Sequence, residues 1–319
     1  GLQDDIIKFI STDNQNDLWV AMGKGISHIE ISSPLNILNE AQGLNGFIED
    51  ITKLKGILYI ATSLGVYAYI NNQFVAVEGI NSQTWALQKF ITTNDTLLLA
   101  STEKGLFEIR KTKSKFIQAE YGFSLYQSKF NPNRMYMGMG DGLTSLKYEN
   151  KTWKYEDYLN GIDYKIKHIE EDSNGNLWLA TPVDGLIKVN FNSSSNDTLL
   201  TAWYKKYNVQ YFGTTNGLPT MNDNIPYQYN EHIVFATNYG IYKFDKQKQK
   251  FYQSAFLKKE LFQSQVYRFA PKGNSSVWMF TVKPNQTKET GIAILQNDNS
   301  YTWYTQPFRK IADREIHAI

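Results

Sequence analysis

A short phrase recurs seven times along the 319 residues: four apolar or small residues, often with an aromatic second, then a glycine ahead of another apolar run. The copies are Leu18-Trp19-Val20-Ala21 with Gly25, Leu58-Tyr59-Ile60-Ala61 with Gly65, and Leu97-Leu98-Leu99-Ala100 with Gly105. Met135-Tyr136-Met137-Gly138 with Gly142, Leu177-Trp178-Leu179-Ala180 with Gly185, and Ile233-Val234-Phe235-Ala236 with Gly240 follow. The seventh, Val277-Trp278-Met279-Phe280, has its glycine delayed to Gly291. The fourth positions are spaced by 40, 39, 38, 42, 56 and 44 residues. Such a period implies one supersecondary unit per repeat, each burying its apolar face against its neighbours.

Helical repeats share these periods, so the local pattern decides. The runs are short, β-branched and aromatic, and Asn, Asp and Gly bound them. Between them, segments such as Val66-Tyr67-Ala68-Tyr69-Ile70 and Ile241-Tyr242-Lys243-Phe244 alternate with period two, the signature of half-buried strands. A leading strand stands upstream of each phrase (Ile7–Ile10, Ile166–Ile169), and an aromatic strand trails it (Thr152–Tyr155, Lys250–Tyr252). Four strands repeated seven times predict an all-β chain, a seven-bladed β-propeller with four antiparallel strands per blade. The blades fall at about 1–42, 43–82, 83–121, 122–160, 161–216, 217–262 and 263–308. Residues 309–319 begin a further repeat or linker, so a longer parent protein is expected. The 56-residue interval predicts an insertion around Asn192–Phe212, and Lys283–Thr290 a smaller one in a seventh-blade loop.

The phrase from Glu171-Asp172-Ser173-Asn174-Gly175-Asn176 through Leu177-Trp178-Leu179-Ala180-Thr181 to Asp184-Gly185-Leu186 resembles the two-component-regulator propeller repeat. Gly217-Leu218-Pro219, followed by Asn222 and Ile225, resembles that family's linker, and Gly1–Ile6, Gly43–Gly46 and Asn160–Asp163 are weaker copies. The resemblance implies an extracytoplasmic sensory region of a bacterial regulator. A second propeller, a Tyr-rich immunoglobulin-like domain, a membrane helix and a cytoplasmic output would follow. It also implies a glycan fragment as ligand, and it carries no ligand residue over position by position.

Composition narrows the function classes. Thirty-three Lys and Arg against 31 Asp and Glu make a net charge of +2, too weak a field for a chain built around nucleic acid. The alternating runs Lys111–Lys115 and Lys246–Lys250 read as solvated hairpin turns. The absence of cysteine excludes disulfides, thiolate metal sites and cysteine nucleophiles, and suits an oxidising compartment. No apolar run reaches the roughly 18–20 residues of a membrane helix, and no charged-then-apolar leader opens the chain. Sequons such as those at Asn150, Asn192 and Asn285 would matter only in a eukaryotic secretory pathway.

Searches for chemistry return little. His28, His168, His232 and His317 show no metal-ligand spacing, and neither a nucleophile elbow nor a P-loop occurs. Asp172–Asn176 misplaces the glycine of a calcium loop and reads as a turn. No catalytic residue, metal site or cofactor is expected. In a propeller the loops and leading strands converge on a central channel, where Lys8, Glu49, Asp50, Trp85, Tyr126, Lys167, His168, Tyr227, Tyr267 and Arg268 are the candidate ligand residues. Aromatic faces with mixed charges suit a polyhydroxylated ligand. Trp203, Tyr204, Tyr207 and Tyr211 of the insertion form a second candidate surface, for ligand or interface.

The expected function is non-catalytic sensing, with an oligosaccharide or other small ligand, further domains of the same polypeptide and a second copy of the chain as partners. A scaffold propeller for protein contacts is the alternative. A propeller enzyme similar to streptogramin lyases is a third reading, which would need acidic groups around His168.

Overall fold

The computed structural model describes residues 4–14, 17–29, 38–191, 207–256, 261, 263–273, 275–296, 300–305 and 308. The chain divides into two compact units, Gly1–Ala41 and Gln42–Ile319. The first unit is an antiparallel sheet of β1 (Ile7–Thr12), β2 (Leu18–Met22) and β3 (Ile26–Ile29). Four strands were expected there; three lie among the described residues, and residues 30–37 fall outside them.

The second unit holds six four-stranded sheets in chain order. The second sheet of the chain is β4 (Ile48–Leu54), β5 (Ile57–Thr62), β6 (Gly65–Ile70) and β7 (Gln73–Ala76). The third is β8 (Thr84–Ile91), β9 (Thr96–Thr102), β10 (Gly105–Arg110) and β11 (Lys113–Gln118). The fourth is β12 (Ser124–Gln127), β13 (Arg134–Gly138), β14 (Leu143–Glu149) and β15 (Thr152–Tyr158). The fifth is β16 (His168–Glu171), β17 (Leu177–Ala180), β18 (Leu186–Phe191) and β19 (Tyr207–Phe212). The sixth is β20 (Ile225–Tyr229), β21 (His232–Thr237), β22 (Gly240–Asp245) and β23 (Lys250–Gln253). The seventh is β24 (Gln265–Lys272), β25 (Ser276–Val282), β26 (Lys288–Leu295) and β27 (Tyr301–Tyr304). Seven antiparallel sheets of one repeat make the fold a seven-bladed β-propeller.

The phrase that recurs in the sequence is each sheet's second strand. β13 and β17 are buried along their whole length and β9 after its first residue, because both of their faces are packed. Each apolar core of the second unit sits between two successive sheets. Tyr59, Val66, Leu98 and Phe107 fill the gap between the second and third, and Phe90, Leu99, Met135 and Leu146 the next. Trp178 sits between the fifth and sixth with its ring edge-on to Phe235, Phe244 and Phe251 at 5.0–5.9 Å.

The recurrent glycine has a steric cause. Gly105 has φ +117°, and a Cβ there would lie 2.1 Å from the Gln118 carbonyl oxygen of the outer strand. The threonine three residues earlier closes the same turn: Thr102 Oγ1 donates to the Gly105 carbonyl at 3.0 Å and accepts the Lys104 amide at 3.1 Å. Thr62 and Thr237 repeat this arrangement in their own sheets.

Two expected insertions resolve differently from the reading above. Tyr207–Phe212 is the outer strand of the fifth sheet, in register with Leu186–Phe191, and the rest of that expected insertion, residues 192–206, lies outside the described residues. Lys283–Thr290 lengthens a hairpin more than a loop, since Glu289 and Lys288 continue the ladder opposite Thr281 and Val282.

Candidate functional site

The first strands of neighbouring sheets in the second unit pack side by side, β4 with β8, β8 with β12, and onward through β16, β20 and β24. All six contribute to one cavity of about 510 Å³. Its wall carries Glu49, Asp50, Trp85, Lys167, His168, Tyr227, Tyr267 and Arg268, together with Gln88, Phe123, Asp223 and Gln265. A local backbone irregularity presents several of these. The register of β4 skips Glu49, that of β8 skips Trp85 and that of β24 skips Tyr267, so each is the extra residue of a β-bulge. A bulge frees a residue from the ladder and re-aims its side chain.

Aromatic faces dominate one side. Trp85 stacks on Tyr121 with centroids 5.2 Å apart and leans on Phe123 at 4.9 Å, and the Lys165 ammonium lies 3.5 Å above the Phe123 ring. Burial, reinforced by the charge of Lys167, holds the Lys165 ammonium below its ordinary pKa. On another side the His168 and Tyr227 rings sit 5.2 Å apart, and Tyr227 contacts Phe269 at 5.5 Å. Burial lowers the pKa of His168, with Arg268 adding to the effect and Glu170 opposing it. The neutral imidazole is therefore favoured, with a hydrogen bond to the Pro226 backbone. Burial likewise pushes the Tyr227 phenol up, which keeps it a neutral donor.

Charged groups are held by backbone and by a side-chain amide. Asp50 accepts the Ile51 amide at 2.8 Å and the Leu87 amide at 2.7 Å. Its pKa is nevertheless raised, because burial outweighs those two bonds and the charge of Arg268. Glu49 accepts from Gln83 Nε2 at 2.9 Å, and Arg268 Nη1 donates to the Tyr267 carbonyl at 2.9 Å. The wall thus offers acceptors, donors and ring faces around one volume, the equipment for holding a polar ligand by stacking and hydrogen bonds.

Residues 160–182, which include β16 and β17, match the family described as two component regulator propeller. The chain carries the two-component-regulator propeller repeat. No curated protein matches this propeller in sequence. Among solved structures, it superposes on an extracellular domain assigned to the hybrid two component system BT3049 of B. thetaiotaomicron with TM-score 0.68 and 17% identity, over 96% of this chain and 41% of that one. The chain therefore spans less than half the length of that domain. Virginiamycin B lyase of Staphylococcus aureus has TM-score 0.51 and 11% identity, over 83% of this chain and 86% of that one. The computationally designed Ika8 protein has TM-score 0.51 and 14% identity, over 88% and 82%. At these identities the likeness shows the fold: a propeller of the kind found in the extracellular domain of a hybrid two-component system. Among the described residues, no helix of this propeller is long and apolar enough to cross a membrane.

Eight of the ten channel candidates line the propeller's cavity. Tyr126 does not. Its hydroxyl donates to Glu170 at 3.1 Å between the fourth and fifth sheets, and burial, then the Glu170 charge, raises its pKa. The fourth sheet instead contributes Ser124 and Leu125, with Phe123 one position before β12 begins, and only its aromatic character could have pointed to Phe123. Lys8 belongs to the first unit, as the residue skipped in the register of β1 with β2. Of the insertion aromatics, Trp203 and Tyr204 lie outside the described residues. Tyr207 and Tyr211 donate to the carbonyls of Asn160 and Gly161 in the link between the fourth and fifth sheets, the first at 3.1 Å. Spacing also failed to single out Asp13, Asp17 and His28, which the first sheet brings within 4.8 Å of one another.

Proposed function

We propose that this chain is a non-catalytic, ligand-sensing propeller from the extracytoplasmic part of a bacterial two-component-type transcriptional regulator, and that its ligand is an oligosaccharide. The observation that carries the reading is the convergence of six leading strands on one cavity lined by Trp85, Phe123, Tyr227 and Tyr267 among carboxylates and cations. Rings cover the apolar faces of a sugar while Asp50, Glu49, Lys167 and Arg268 bond its hydroxyls. Because these groups come from six sheets, a ligand touching several of them couples blade to blade. Differential affinity for two packings of the blades then biases a two-state output across the membrane. The working protein would place this propeller on the periplasmic or outer face of the inner membrane, beside a second propeller and ahead of its signalling domains, with dimerisation available to it.

A thermal-shift screen of the chain against plant, algal and host oligosaccharides tests the reading. A ligand that binds only the native state raises the melting temperature with concentration, by linkage. The expected result is such a rise with one glycan class and unchanged sugar after incubation. Turnover of any sugar would overturn the non-catalytic assignment, and no rise with any glycan would overturn sugar binding by this propeller.

A further inference from the structure

The first sheet holds a cluster that the cavity does not use. Asp13 follows β1, Asp17 precedes β2, and His28 lies on β3 opposite Trp19. Asp13 accepts the Asp17 amide and the Trp19 indole N–H, each at 3.1 Å. The His28 ring stacks on Trp19 with centroids 4.4 Å apart and turns Nε2 toward Asp13 Oδ2 at 3.5 Å and Asp17 Oδ2 at 3.8 Å. Asp17 is 5% exposed.

The fifth sheet builds the same corner from different side chains. Asp172 stands six residues before Trp178, Asn176 two before it, and Lys188 opposite it, matching Asp13, Asp17, Trp19 and His28 position for position. There the Asn176 side chain donates to Asp172 at 3.1 Å, and the Lys188 ammonium lies 3.8 Å from Asp172 and 5.1 Å from the centre of the Trp178 ring. A cation belonging to the protein thus fills the corner, and the three side chains sum to zero charge. In the first sheet the amide has become a second carboxylate, and the ammonium has become a ring nitrogen that can offer a lone pair. At the position of Lys188 the first sheet thus carries a third donor.

We propose that Asp13, Asp17 and His28 bind one divalent cation of the zinc type, with water completing its coordination. One imidazole nitrogen and two carboxylate oxygens are a donor set for a borderline first-row ion. Donors 2.0–2.2 Å from one ion at the tetrahedral angle sit roughly 3.4 Å apart. The two His28 separations are close to that, and the carboxylate oxygens of the third side lie within 4.8 Å of one another. The Trp19 indole orients the Asp13 carboxylate, and the stacked ring holds the imidazole plane, the outer supports that metal ligands ordinarily have. The ion would staple the β1–β2 loop to β3.

Zinc chloride titrated into the full chain by calorimetry tests this, read together with the imidazole nitrogen resonances of the four histidines. The expected result is one saturable site whose filling moves the His28 resonances first. The double variant Asp17→Asn with His28→Lys installs the fifth sheet's own side chains and is expected to weaken zinc binding at least tenfold. Wild-type chain without saturable binding, or a zinc response confined to the other histidines, overturns the proposal. So does undiminished binding by a folded double variant. The resonance readout needs no variant, so a misfolded mutant does not remove the test.

Discussion

The Asp50 carboxylate of the second sheet accepts the Leu87 amide of the third at 2.7 Å, carrying a hydrogen bond from one blade to the next. The same carboxylate accepts its neighbour Ile51 and faces the cavity. Asp50→Ala leaves a buried amide without its acceptor and is expected to cost about 1–3 kcal/mol. Asp50→Asn keeps an acceptor and costs less. Because burial raises the folded-state pKa above the unfolded value, the folded chain holds this proton more tightly. The stability it contributes is full at acid pH and is lost as pH rises through the raised value. Urea midpoints from the acid range to neutrality should therefore show a flatter profile for Asp50→Asn than for the wild type.

Glu156 predicts the opposite slope. It receives Arg134 Nε and Nη2 at 2.6 and 2.7 Å and the Ser145 hydroxyl at 2.6 Å, and Arg134 is fully buried. Burial alone would raise its pKa, but these bonds and the guanidinium charge bring it below the ordinary value. Its contribution is present above the unfolded pKa and lost as pH falls through the lowered one. Glu156→Ala removes the carboxylate paired with a buried guanidinium and should cost about 3–5 kcal/mol at neutral pH. Glu156→Gln should remove this part of the acid sensitivity, measurable as a smaller drop in urea midpoint on acidification.

The blade glycines are not equivalent. Gly105→Ala forces a side chain into left-handed backbone and against the Gln118 carbonyl, for an expected loss of about 3 kcal/mol or more. Gly56, at φ +83°, has nothing within 4 Å of a built Cβ, so Gly56→Ala should cost only the backbone penalty of about 1–2 kcal/mol. Paired denaturation curves check the difference.

Within the cavity, Trp85 supplies the largest ring face. Trp85→Ala should reduce affinity for a sugar ligand about tenfold, equivalent to about 1.4 kcal/mol. The comparison that matters is the ligand-induced rise in melting temperature against the variant's own unliganded value. An unchanged rise would remove Trp85 from the binding surface.

Much of the propeller is legible in the sequence because its determinants are local. A doubly buried second strand needs an unbroken apolar run, and the turn after it carries a glycine in six of the seven repeats, joined by a partner threonine in the second, third, fifth and sixth sheets, so these recur as letters. Asp13 and Asp172 likewise sit six residues before a tryptophan, visible as spacing. The outer strand of the fifth sheet is harder to read. Tyr207–Phe212 is only partly buried and lies across a long interval from its partner, so neither alternation nor proximity marks it.

Spacing along the chain, then, determined the repeat, the strand order and which residues stand near the start of each blade. The tertiary structure alone decided which of those side chains share a volume. Glu49, Trp85 and Tyr267 reach the cavity through bulges, which are a matter of register between paired strands. Tyr126 turns to Glu170, where its hydroxyl finds an acceptor. Asp13, Asp17 and His28 converge because β3 folds back on β2, and a pairing partner is a property of the sheet, not of either strand read alone.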